Sequence, residues 1–275
     1  MMSYSNLRAI EWKGKKWQVV DGRHLLLVTC HLLLASLFLV GCQRQGETWQ
    51  RVEETGVLRV GLDPTFPPFE TAVPDDVFGL DVDLAEAIAA DLGLEVQFTY
   101  FGYDGLYDAL LTGQVDVLAS ALVIIPERER DFSYSDPYFN AGEILVVPVE
   151  SDVAGMVDLN GRSVAVELGA YGHVEATNWT KRLADLTVVP FPSPEEALTA
   201  VIDGQADAVL IDSVSGRLFI RDEPRLQRVA EPVTIEPYAL VVRDADSELL
   251  DKLNASLARL AASGELAKII SEWVG

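Results

Sequence analysis

Apolar positions along residues 57–273 alternate between the strand period and the helix period. Val57-Leu58-Arg59-Val60-Gly61 reads as a first strand. Asp63-Pro64-Thr65-Phe66-Pro67-Pro68-Phe69 cannot prolong it, because three prolines remove ladder donors and demand a fixed loop. From Asp81 to Leu92 the side chains of Leu84, Ile88 and Leu92 fall on one helical face, and Gly93 ends that helix. Val96-Gln97-Phe98-Thr99-Tyr100 is the next strand, which completes a βαβ unit.

A partial internal echo follows. A short helix at 104–111 leads through Gly113-Gln114-Val115-Asp116 into the strand Val117-Leu118-Ala119. Ninety-one residues later a helix at 195–202 leads through Gly204-Gln205-Ala206-Asp207 into Ala208-Val209-Leu210-Ile211. Ser193 caps that second helix, with Pro194 at its first position and Glu196 as reciprocal partner. Two such turns, each between a helix and an apolar strand, predict two α/β lobes of similar plan.

The strand Gly142–Pro148 is expected to cross between the lobes, with the run from Tyr238 to Val242 as the return. A leucine face runs through Leu249, Leu253, Leu257 and Leu260, and a last helix from 266 to 273 closes the chain after Gly264. Lobe one is then 57–141 plus 240–275, and lobe two is 148–236. The hinge crossings fall near 142–147 and 237–242. Two connections between two lobes make a hinge with a ligand cleft beside it.

Residues before 57 change the picture of location. Residues 25–40 (LLLVTCHLLLASLFLV) carry no fixed charge, and Arg8, Lys13, Lys15, Lys16 and Arg23 precede them. A basic stretch followed by a short apolar run reads as an export signal, with a membrane anchor as the rival. Leu39-Val40-Gly41-Cys42 resembles the bacterial lipobox, whose cysteine carries lipid and becomes the first mature residue. Residues 1–41 are thus expected to be a signal peptide, and 42–56 a polar, lipid-anchored tether to the membrane. Cys30 and Cys42 are the two cysteines, so the mature domain has neither a disulfide nor a cysteine metal site. Three histidines, His24, His31 and His173, are too few and too scattered for a metal site, and no cofactor is expected. The net charge of -22 excludes a nucleic-acid partner.

The chain resembles the family 3 extracellular solute-binding proteins, the polar-amino-acid receptors of ABC importers. The stretches that carry the resemblance are LRVGLDPTFPPFE, GLDVDLAEAIAADLG, DGLYDALLTGQVDVLASA, PERERDFSYSDPYF, and VAVELG followed by ADAVLIDS. The resemblance implies a type II periplasmic-binding-protein fold, with two α/β lobes, mixed sheets flanked by helices, and a small ligand passed to a permease and ATPase complex. It implies that Arg128 clamps the ligand carboxylate, for which a guanidinium fork is suited. Asp212 is implied as the partner of the ammonium, although it could also cap the helix after it. Tyr103 and Phe66 match aromatic positions on either side of the ligand, and either could instead be core. Asp63 matches a carboxylate that reaches the side-chain end of basic amino acids, or else caps the Pro64 turn.

Departures from the pattern bear on specificity. Val123 and Ile125 stand where the family has hydroxyl residues, and Ala170 and Tyr171 follow Gly169 where threonines are usual. Backbone amides at Ala121, Val123 and Tyr171 remain to hold a carboxylate. A drier pocket follows as an expectation, open to an apolar or aromatic amino acid or to another kind of molecule. Two rival functions stay open beside import. One is a cyclohexadienyl-dehydratase-like enzyme, with Glu143, Glu167, Glu175 or His173 as acid. The other is a sensing module that acts through a partner.

Overall fold

The computed structural model describes residues 47–74 and 76–275. The expected signal peptide, Cys42 and the start of the tether lie outside the described residues. Along the chain come α1 (Glu47–Thr55), β1 (Val57–Leu62), β2 (Thr65–Phe66), β3 (Glu70–Val73), β4 (Asp76–Phe78), α2 (Leu80–Leu92), β5 (Glu95–Tyr100), α3 (Leu106–Leu111) and β6 (Val117–Leu118). Next are β7 (Phe132–Tyr134), β8 (Phe139–Asn140), β9 (Glu143–Pro148), β10 (Ser163–Glu167), α4 (Tyr171–Trp179), β11 (Thr187–Phe191), α5 (Pro194–Ile202) and β12 (Ala208–Asp212). Then follow α6 (Ser213–Arg221), β13 (Leu226–Arg228), β14 (Pro237–Tyr238), β15 (Val241–Arg243), α7 (Ser247–Ser263) and α8 (Glu265–Val274).

Two mixed five-stranded sheets define two lobes, in the orders β5-β1-β6-β15-β7 and β11-β10-β12-β9-β13. In the first, β1 runs parallel to β5 and β6, and β15 returns antiparallel between β6 and β7. In the second, β10 runs parallel to β11 and β12, and β9 lies antiparallel between β12 and β13. The lobes are joined where β8 pairs with β14, Asn140 opposite Pro237 and Phe139 opposite Tyr238.

The strand at 142–147 is therefore not itself a crossing. It is β9, a member of the second sheet. Ile144 and Val146 face one core cluster of that lobe, while Leu145 and Val147 face the other. A strand buried on both faces belongs inside a covered sheet. The crossing is the shorter pair just before it.

The Gly-Gln-x-Asp echo has a common physical basis. Gly113 and Gly204 both have φ near +72° (73° and 72°), the left-handed turn that ends α3 and α5. In each lobe the glutamine N–H then donates back into the helix, Gln114 to Ala109 O and Gln205 to Ala200 O. In each lobe the aspartate ties the turn to the first sheet strand. Asp116 accepts from Arg59 N–H at 2.9 Å, and Asp207 accepts from Ser163 N–H at 2.7 Å. The Ser193 cap is present too, accepting from Glu196 N–H at 3.2 Å.

Part of the expected tether is packed structure. Trp49 and Val52, three apart on α1, are buried in the first lobe's core, and Lys252 lies over the Trp49 ring. Polar composition concealed this, because two apolar residues at helical spacing suffice to seat so short a helix.

Candidate functional site

The first lobe presents a cavity of about 390 Å³ lined by Asp63, Thr65, Phe66, Glu70, Tyr103, Ser120, Ala121, Val123 and Tyr238. Five expected residues thus meet on one wall. Asp63 is held there by its own contacts. Its carboxylate accepts from Tyr103 N–H at 2.8 Å and from Thr65 Oγ1 at 2.8 Å, while its N–H donates to Ser120 Oγ at 3.0 Å. Phe66 and Tyr103 are 49% and 55% exposed, so they are wall rather than core. Phe66 stacks on Phe69, which packs edge-on against Phe139 and Tyr238 of the crossing pair.

Behind that wall lies a buried carboxyl pair that sequence patterns did not single out. Glu70 accepts from Ser120 Oγ at 2.6 Å, and Asp81 accepts from Ala121 N–H at 2.5 Å. Burial pushes both above the usual carboxylate range, and the neighbouring Asp81 raises Glu70 further. The Ala121 amide is accordingly already occupied, contrary to the expectation that it would hold a ligand carboxylate. Ala121 sits at φ 46°, and its N–H points to the buried Asp81.

The second lobe presents a cavity of about 230 Å³ lined by Ala141, Glu143, Glu167, Ala170, Tyr171, Gly172, Leu210, Ile211, Asp212 and Glu236. Asp212 does cap α6, accepting from Ser215 N–H at 2.8 Å through Oδ1. It also lines the cavity, so its capping bond does not remove it from the cleft. Tyr171 opens α4, and Gly169 just before it has φ 88° and donates to His173 Nδ1 at 3.1 Å. Glu143 is 5% exposed, not a surface group. Burial, then Asp212, Glu236, Glu167 and Glu175, push it up to about 7. The cavity is therefore lined by acidic groups and not by apolar ones alone. The lost hydroxyls are accompanied by carboxylates.

Both cavities border the crossing, one at Tyr238 and the other at Ala141 and Glu236. Arg128 lines neither. It follows Pro126 in a single 3₁₀ turn, and its guanidinium lies 4.0 Å above the Tyr107 ring. Among the described residues it makes no ion pair, Glu127 and Glu129 included. A larger cavity of about 440 Å³ between α5 and α6 contains none of the expected binding residues. Among the described residues no cluster could hold a metal, and no helix is long and apolar enough to cross a membrane.

Residues 58–275 match the model of the bacterial extracellular solute-binding proteins, family 3. The chain belongs to that family. It is similar to the ABC transporter arginine-binding protein 1 of Escherichia coli strain K12, 27% identical over 78% of this chain and 90% of that one. Among solved structures it is similar to the L-cystine solute receptor of Neisseria gonorrhoeae in its unliganded open conformation. That match has a TM-score of 0.72 and 27% identity, and covers 82% of this chain and 96% of the receptor. An ancestral cationic amino acid solute-binding protein matches with TM-score 0.59 and 32% identity, over 83% of this chain and all of that one. The type II two-lobed fold is that of these neighbours. The family is named as one of binding proteins, although an ancestral cyclohexadienyl dehydratase also shares the fold, with TM-score 0.71 and 26% identity over 82% of this chain and 95% of that one.

Proposed function

We propose that this solute-binding protein is the receptor component of an ABC importer, and that it carries a cationic amino acid between its lobes to the permease. The observation that supports this ligand class most is the charge of the two cavities. Asp63, Glu70, Glu143, Glu167, Asp212 and Glu236 line them, and no lining residue is basic. A neutral or acidic ligand would leave this acidic lining without a counter-charge, with Glu70 and Glu143 held protonated by burial, whereas a cation offsets it. The arginine-binding relative and the ancestral cationic amino acid binder agree with that class.

In this arrangement Arg128 swings from Tyr107 onto the ligand carboxylate, assisted by the amides at the start of α4. Asp212 takes the α-ammonium through the oxygen not used in capping. Phe66 and Tyr103 flank the aliphatic stem, and Asp63 receives the distal cation. A thermal-shift screen of the amino acids tests this, since a ligand that binds only the folded state raises the melting temperature. Arginine and lysine should give the largest shifts. Shifts confined to neutral or aromatic amino acids would reject the ligand class.

The family is extracellular, and export with lipid on Cys42 is the further part of the proposal. Intact mass spectrometry of protein from native membranes should show a chain that begins at an acylated Cys42. A mature chain that keeps residues before Cys42 would remove the anchor.

A further inference from the structure

Glu143 has an unusual setting for a carboxyl. It stands directly opposite Asp212 in the antiparallel β9–β12 pair, so both side chains leave the same face of the sheet. It is 95% buried as a complement of its 5% exposure, and its Oε2 has no hydrogen-bond partner. Gly172, at the start of α4, makes room for it. A Cβ on that residue would come within 2.6 Å of Glu143 Oε2. Glu143, Asp212 and Gly172 all line the second lobe's cavity.

The groups that face Glu143 are all acidic: Asp212 on β12, Glu236 ahead of β14, Glu167 on β10 and Glu175 on α4. A buried carboxyl among four others cannot be charged cheaply in an empty cleft. A cation placed between Glu143 and Asp212 reverses that balance and supplies the partner that Oε2 lacks.

We propose that Glu143 is a second, proton-gated receptor for the ligand's positive charge in the second lobe, neutral when the cleft is empty and ionised when a cation is held. The proton lost on binding goes to solvent, so capture and proton release are linked. This rests on the cationic-ligand function above and adds to it a residue and a pH dependence. Below pH 7 each unit of acidity should weaken binding by up to about tenfold, the limit for one linked proton. Above pH 7 the dependence should level off.

The test is calorimetric titration with L-arginine at several pH values, in buffers of different ionisation enthalpy. Wild-type protein should release on the order of one proton per ligand at pH 6. Glu143→Gln keeps the shape of the neutral form. It should release fewer protons, lose most of the pH dependence between 6 and 8, and bind more weakly than wild type at pH 8. Binding by wild type without proton release would overturn the gating by itself, even if the variant failed to fold. An unchanged affinity and proton count in Glu143→Gln would also overturn it, while leaving the cationic-ligand function intact. If wild-type protein bound L-arginine and L-lysine at no pH, that function would fail and the gating with it.

Discussion

Arg128→Ala should weaken amino-acid binding at least about tenfold, because a hydrogen bond to a charged group contributes roughly 1.5–3 kcal/mol. The residue is suited to the task because, among the described residues, no carboxylate pairs with it. Its guanidinium rests on the Tyr107 ring at 4.0 Å, so moving to a ligand exchanges a cation–π contact for a charge-assisted bond. Asp212 needs a more careful substitution. Asp212→Ala would remove the ligand contact and the cap on Ser215 N–H together, and a lost cap alone costs about 1 kcal/mol. Asp212→Asn keeps a capping oxygen and removes the charge. It should lower affinity at least about tenfold while the melting temperature changes little. Arg130→Ala, two residues from the clamp and exposed, should bind as wild type. Calorimetry on the three variants decides the matter. Wild-type affinity in both Arg128→Ala and Asp212→Asn would reject the zwitterion clamp.

Asp116→Ala should be the more damaging change for stability. Its carboxylate is fully buried and accepts from Arg59 at N (2.9 Å), Nε (3.1 Å) and Nη2 (2.7 Å), with Arg51 of α1 bonded to the same group. Removing one partner of a buried ion pair costs about 3–5 kcal/mol. The low end applies because the Arg51 and Arg59 side chains keep 34% and 29% exposure. About 3 kcal/mol corresponds to a fall in melting temperature of roughly 6–12 °C for a chain of this size. Asp207, its counterpart in the second lobe, is exposed, and among the described residues its carboxylate hydrogen-bonds only Ser163. Asp207→Ala should cost about 1 kcal/mol. Equal melting temperatures for the two variants would contradict the anchoring ascribed to Asp116.

The two aspartates also show what was legible in the chain. Their spacing after a glycine and before an apolar strand is a local pattern, so the repeated lobe plan could be read directly. The same holds for α2 with its Gly93 stop and for the leucine face of α7. Features fixed by distant contacts were not legible. Nothing near Ala121 in sequence shows that Asp81, forty positions earlier, holds its amide. Glu143 stands out in the sequence only as one of four candidate acids with no diagnostic spacing, and its burial depends on Gly172 and β12. The crossing was displaced by a few residues because β9 is apolar on both faces, and a fully apolar run does not tell a covered strand from a connector. At the site, the missing hydroxyls at Val123 and Ala170 suggested dryness. Carboxyl groups assembled from six separate segments outweigh them, and only the fold brings those together.

The measurement that tests the ligand class most directly is a paired titration of the wild-type protein with L-arginine and L-citrulline, which share a backbone and stem and differ in the charge of the distal group. Arginine should bind at least about tenfold more tightly, since the charge-assisted bond to Asp63 and the field of the cleft act on the cation alone. Equal affinity for the two, or tighter binding of citrulline, would contradict a cleft built around positive charge.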